Sequence, residues 1–334
     1  MESQAHKSLF HLVEGQSFDL ESIEVTVEAP NLPSAEDLIE RLHQILWSEA
    51  PRRQRLEGEP IAEGDDLECD IVTVVGGKIL PDGCHHCARF EVRDFLHLPG
   101  FIDEILDMKT WSAKSFLLTF PQDYQVQALR GVEATYYVEA RRAYEVNLEP
   151  LEHSEQLSRA GLGDTIDEAL EIVAARIDEE QGDELLVTAT QAVLDALGER
   201  VEAKIPDVTV DEELRLLWEK NRAPIFLGKA FSESTIENAE KDFVSYGPLR
   251  AQAAHRLRIA LALAKVIEEN NLNPSEEGVD DFIRSLTPQV GTQDEIEKVL
   301  LNHPDTQRDL AQQSLYLQAV EFVMTRARFK VSEV

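Results

Sequence analysis

Positive charge is what this chain has least of. Only 32 Lys and Arg stand against 64 Asp and Glu, a net charge of −32. Nucleic acid is held by basic side chains clustered on its phosphates, and anionic membrane surfaces attract the same clusters, so neither is an expected partner. Long apolar runs are also missing, and none approaches the roughly 18 residues of a bilayer-spanning helix. The opening residues MESQAHK lead into no apolar segment of secretory type, so a cytoplasmic location is expected. Cysteine is sparse, and three thiols cannot build a disulfide framework. The excess of acid favours solubility instead.

At 334 residues, 43% of them hydrophobic, the chain has room for two or three domains with their own cores. Residues 1–62 read as an N-terminal arm, a strand and a linker helix. Ile23, Val25 and Val27 alternate with polar residues, and Pro30 and Pro33 end that strand. Ser34, with acids in the first turn, starts a helix carrying Leu38, Ile39, Leu42, Ile45 and Leu46.

Residues 63–147 are β-rich. They comprise a strand over Ile71–Val75, a turn at Pro81-Asp-Gly83, a strand from Phe90, a short helix opened by Leu98-Pro-Gly-Phe101, and strands over Ser115–Phe120 and Thr135–Arg141. Pro121 closes one strand because it cannot donate to a ladder. Gly131 then leads into Val132, Ala134, Tyr136 and Val138, the alternation of a half-buried strand. Over residues 148–334 helical periodicity takes over. Helices are expected at about 165–180, 183–201, 210–221 and 249–270, from Ser275, from Thr292, and at 310–330. The fold class is α+β.

Several segments fall in the order and spacing of one known family. Phe120-Pro-Gln-Asp-Tyr124 with Gly131 before a last aromatic strand, His97-Leu-Pro-Gly-Phe101, Asn273-Pro-Ser-Glu-Glu277 and Leu317-Gln-Ala-Val-Glu-Phe-Val-Met324 are similar to trigger factors, over roughly residues 20–334. The resemblance implies a small antiparallel FKBP-like β domain wrapped on a short helix, followed by a large all-α chaperone domain with arms. That chaperone domain would hold unfolded or newly made client proteins. The resemblance also implies an apolar prolyl-isomerase pocket, matched by Phe90, Leu98, Phe101, Tyr124 and Tyr136, with the Leu98 N–H holding a substrate carbonyl. Such a pocket works without acid–base groups, by desolvating the X-Pro amide and fitting its twisted form.

Two departures from the family pattern matter. The early pocket aromatic falls on Val74 or Val75, and a Phe-x-Gly-Gly segment is replaced by Cys84-His-His-Cys87. No Phe-Arg-x-Gly-Lys-x-Pro loop is present, so the ribosome-docking domain is expected to be lacking and no ribosome docking is expected. The aromatics suit the core of a small barrel equally well. Isomerase activity is therefore expected to be weak or vestigial, with an active FKBP-type isomerase as the alternative.

Cys84, His85, His86 and Cys87, with Cys69 upstream, carry metal-ligand chemistry. Two thiolates in Cys-x-x-Cys spacing, a third Cys and one His would suit tetrahedral Zn²⁺. A redox site or an inert turn are the other readings. A metal- or redox-linked assembly factor with one dedicated partner goes with this patch. No other cofactor is expected. Finally, Ile225, Phe226 and Leu227, bounded by Pro224 and Gly228, and nearby Phe231 form an apolar segment expected at an arm tip that touches client.

Overall fold

The computed structural model describes residues 9–93, 98–150, 154–226, 231–274, 278 and 304–332. In chain order these form β1 (Glu24–Glu28), α1 (Ala35–Glu49), β2 (Arg52–Gln54), β3 (Asp66–Val75), β4 (Lys78–Glu91), α2 (Phe101–Ile105), β5 (Ala113–Thr119), β6 (Glu133–Val146), α3 (Ser154–Arg159), α4 (Ile166–Glu199), α5 (Asp207–Asn221), α6 (Glu233–Ser245), α7 (Gly247–Glu269), α8 (Pro304–Met324) and β7 (Arg328–Ser332). The helices expected from Ser275 and Thr292 start outside the described residues. Residues 33–177 and 211–250 make one compact unit; residues 1–32, 178–210 and 251–334 make the other.

The first unit is built on five antiparallel strands. β6 is its spine, pairing β2, β3 and β5, and β3 pairs β4 on its far edge. Ala134, Tyr136, Val138 and Ala140 alternate inward along β6, as their spacing predicts. The short helix α2 fills the concave side: Phe101, Ile102 and Ile105 pack with Leu67, Cys69, Ile71, Phe116 and Tyr136. Gly100 enters α2 at φ +82°, and Gly131 turns the chain before β6 at φ +68°, conformations that cost a side-chain-bearing residue. A second core joins α1 to α3 and the start of α4 through Leu42, Leu46, Leu157, Leu162, Ala169 and Val173. Ser34 caps α1 as expected, accepting from the Asp37 N–H at 3.2 Å while Asp37 accepts from the Ser34 N–H at 2.8 Å.

Two expectations change here. The β3–β4 turn lies at Gly76-Gly77, both at positive φ as a tight two-residue hairpin demands, rather than at Pro81-Asp-Gly83. Residues 80–83 instead form an irregular excursion within β4 opposite Thr73, where a Cβ on Gly83 would come within 2.7 Å of the Thr73 Cβ. Cys84–Cys87 therefore lies within a strand. The helices at 211–250 also belong with the sheet: Trp218, Phe226, Phe231 and Phe243 form an aromatic cluster that reaches Tyr137 of β6, with a Tyr137–Phe231 ring distance of 5.4 Å. Residues 211–250 thus lie in the same compact unit as the sheet.

In the second unit β1 and β7 pair in parallel. The expected helix over 310–330 stops at Met324, and Arg328–Ser332 becomes β7. α4 is one continuous helix rather than two, running straight through Gly182. A mid-helix glycine costs only about 1 kcal/mol against Ala, too little to break 34 residues. Gly198 lets α7 come close, since a Cβ there would sit 2.7 Å from the Ile259 side chain. Among the described residues no helix is long and apolar enough to cross a membrane.

Candidate functional site

The five residues matched to a prolyl pocket do come together. Phe101 and Tyr136 are buried in the sheet core, and Phe90, Leu98 and Tyr124 are half-buried against it. The rings interlock: Phe101 meets Phe116 at 5.6 Å and Tyr136 at 5.5 Å, both edge-on, and Phe116 stacks on Tyr136 at 5.8 Å. Phe120 tilts onto Tyr124 at 4.7 Å. Phe116 and Phe120 were not matched to the pocket; their inward alternation on and just after β5 was the available signal. Of the five, Phe101 and Tyr136 belong to the packed centre of the cluster, while Phe90, Leu98 and Tyr124 form part of its half-buried rim.

Burial leaves a titration signature. It pushes the Tyr136 hydroxyl from 10.0 up to about 12, with Tyr124 adding to the rise and a hydrogen bond to Thr73 opposing it. Burial likewise pushes the Cys84 thiol from 9.0 up to about 11, against the pull of Arg222. Both groups are neutral when protonated, and folding raises both values. Their contribution is therefore intact below pH 9 and is lost as pH climbs through about 11 and about 12, roughly 2–3 kcal/mol for each group. Denaturant midpoints should fall across that window. Cys84→Ala should flatten the lower part and Tyr136→Phe the upper; unchanged profiles in both variants would refute the assignment.

The five proposed metal ligands do not converge. Cys69 is core, packed with Leu67 and Ile71. Cys84 is also buried, with the Arg222 guanidinium donating to its carbonyl. Among the described residues, the group with ligand atoms mutually within 4.8 Å is Asp70, His86 and Cys87. The Asp70 carboxylate, only 1% exposed, already accepts from the Arg141 guanidinium at 2.6 Å, the Cys87 N–H at 2.9 Å and His86 at 3.0 Å. A cation at Asp70 would have to compete with that guanidinium. Asp70 was missed in the sequence because a strand acid beside apolar neighbours resembles any surface residue.

The segment expected at an arm tip is mostly interior. Ile225 is fully buried, Phe226 stacks on Trp218 at 5.6 Å, and Phe231 meets Phe226 at 5.5 Å. Leu227 lies outside the described residues. In the helical unit, large apolar side chains face solvent elsewhere: Leu186 and Val187 on α4, Leu317 on α8, and Phe329 and Val331 on β7.

A small sheet with an aromatic core, joined to a mainly helical body, defines an α+β protein. Residues 165–325 match the family model described as the bacterial trigger factor protein C-terminus. Over that region the chain is similar to bacterial trigger factors. The trigger factor of Idiomarina loihiensis is 26% identical over 337 aligned positions, covering 99% of this chain and 73% of the relative. That of Paracidovorax citrulli is 28% identical over 235, covering 70% of this chain and 52% of the relative. The Hahella chejuensis trigger factor is 24% identical over 321, covering 95% and 68%. The chain thus spans about half to three quarters of the length of these curated relatives. A solved chain from work on promiscuous substrate recognition in the folding and assembly activities of the trigger factor chaperone aligns over 92% of this chain and 71% of its own, at 16% identity and a TM-score of 0.36.

Proposed function

We propose that the chain is a chaperone that holds unfolded or newly made protein, with weak or vestigial prolyl isomerase activity and no dependence on docking to the ribosome. The observation that carries this is the set of solvent-facing apolar side chains on a body that matches the trigger factor C-terminus: Leu186 is 55% exposed, Val187 68% and Leu317 52%. Scattered apolar contacts of this kind bind many sequences weakly, without directional bonds. The net charge of −32 keeps such a surface soluble.

Near-stoichiometric chain should suppress aggregation of chemically unfolded clients. Leu186→Ser, Val187→Ser and Leu317→Ser combined should weaken that suppression severalfold without unfolding the chain, since these side chains already face water. Equal suppression by the triple variant would move the client surface elsewhere, and no suppression of several clients by the parent chain would end the proposal. Isomerase activity is measured separately, on a short X-Pro peptide and on a refolding reaction limited by proline isomerisation. The packed centre of the aromatic cluster favours small rate enhancements in both.

A further inference from the structure

We propose that Cys87 is a thiol–disulfide exchange site, served by His86 and Asp70, that takes a low-molecular-weight disulfide. Neighbouring residues of a regular strand point to opposite faces, yet His86 Nε2 lies 3.5 Å from Cys87 Sγ. The cause is a bulge. Cys69 pairs Ala88 and Ile71 pairs His85, so His86 and Cys87 together face Asp70 alone, and Cys87 takes φ +51°, a left-handed conformation uncommon without glycine. Asp70 holds this shape by accepting from the Cys87 N–H, and it also accepts from His86 Nδ1.

That second bond assigns the tautomer. A carboxylate only accepts, so Nδ1 of His86 carries a proton, and in the neutral ring the lone pair on Nε2 is the one that faces the sulfur. Arg141 on β6 pairs with the Asp70 carboxylate at 2.6 Å, holding that acceptor in place. A ring nitrogen able to take a proton therefore stands beside an exposed thiol, an arrangement that favours thiol chemistry. Cys69 and Cys84 are buried and take no part.

The chemistry balances without a further reagent. The Cys87 proton passes to His86 Nε2, and the thiolate attacks one sulfur of R–S–S–R. The reagent's S–S bond breaks, a Cys87–S–S–R bond forms, and the departing RS⁻ recovers the proton from His86. Cys87 is oxidised and one R–S group is reduced.

The full chain is treated with 4,4′-dithiodipyridine, which is uncharged, so the overall negative charge does not bias the rate; released thiopyridone is read by absorbance. One equivalent should react fast, well ahead of the same thiol in urea-unfolded chain, and Cys87→Ser should abolish it. His86→Gln should slow it about tenfold at pH 6.5 but little at pH 9, where an ordinary thiol is already ionised. Both changed side chains face solvent, so the fold is kept. Equal slowing at both pH values would mean that His86 only shapes the bulge. Reaction no faster than in the unfolded chain, or no single Cys87 adduct by mass with oxidised glutathione, would overturn the proposal.

Discussion

Phe101→Ala is expected to cost about 3–5 kcal/mol, the range for removing a buried aromatic ring from a packed core. Phe101 is 2% exposed, and Phe116 and Tyr136 press its ring edge-on. No neighbour can close the gap cheaply, since α2 is a single turn fixed between Gly100 and the sheet. Total domain stability is of order 5–15 kcal/mol, so the loss should bring the unit near its unfolding threshold. Tyr124→Ala, at the rim, should cost far less. All three tryptophans, Trp47, Trp111 and Trp218, lie in this unit, so tryptophan fluorescence in urea reports its unfolding alone. If Phe101 instead lined an open substrate groove, the variant would stay nearly as stable while losing isomerase activity. That outcome would reverse the assignment of core and rim.

Asp66→Ala should be comparably damaging. Asp66 is fully buried at the start of β3 and accepts from Arg52 Nε at 3.1 Å and Arg89 Nε at 2.8 Å. Arg52 also donates to the carbonyls of Ser48 at 2.6 Å, Trp47 at 2.9 Å and Ala50 at 3.1 Å, which the end of α1 leaves without helical partners. It lies over the Trp47 ring at 4.8 Å as well. One arginine thus binds the end of the helix to the sheet, and its counter-charge is Asp66. Removing the carboxylate leaves Arg52 charged and largely buried, a change that costs about 3–5 kcal/mol when one partner of a buried pair is lost. Arg89 is 58% exposed, so Arg89→Ala should cost about 1 kcal/mol or less. The same urea titrations decide: equal losses in the two variants would show that Arg52 is not the partner that matters.

Local signals in the sequence were legible where one residue type has one job. Ser34 with Asp37 and Thr165 with Glu168 both form the caps their spacing predicts. Pro121, Gly131 and the inward alternation of β6 placed the sheet's central strand and gathered the pocket residues around it. What stayed hidden depends on partners far along the chain. Pro81-Asp-Gly83 has the composition of a turn, but continued pairing of β4 with β3 absorbs it and leaves the tight turn to Gly76-Gly77. Arg328–Ser332 has no strand identity until β1 supplies its ladder. Ile225 and Phe226 look like an exposed tip, yet both are buried, and Phe226 packs against Trp218 and Phe231. Cys84 and Cys87 share a spacing suited to one metal, but one is buried and the other exposed.

The β1–β7 ladder also sets a clock on synthesis. Glu24 pairs Arg328 and Glu28 pairs Ser332, so about 300 residues must be made between the two strands. At about 5–20 residues per second, β1 waits roughly 15–60 s for its partner. During that interval its edge is a row of unmet N–H and C=O groups, the very feature that draws other extended chains. While it is being made, a protein proposed to shelter unfinished chains is itself one.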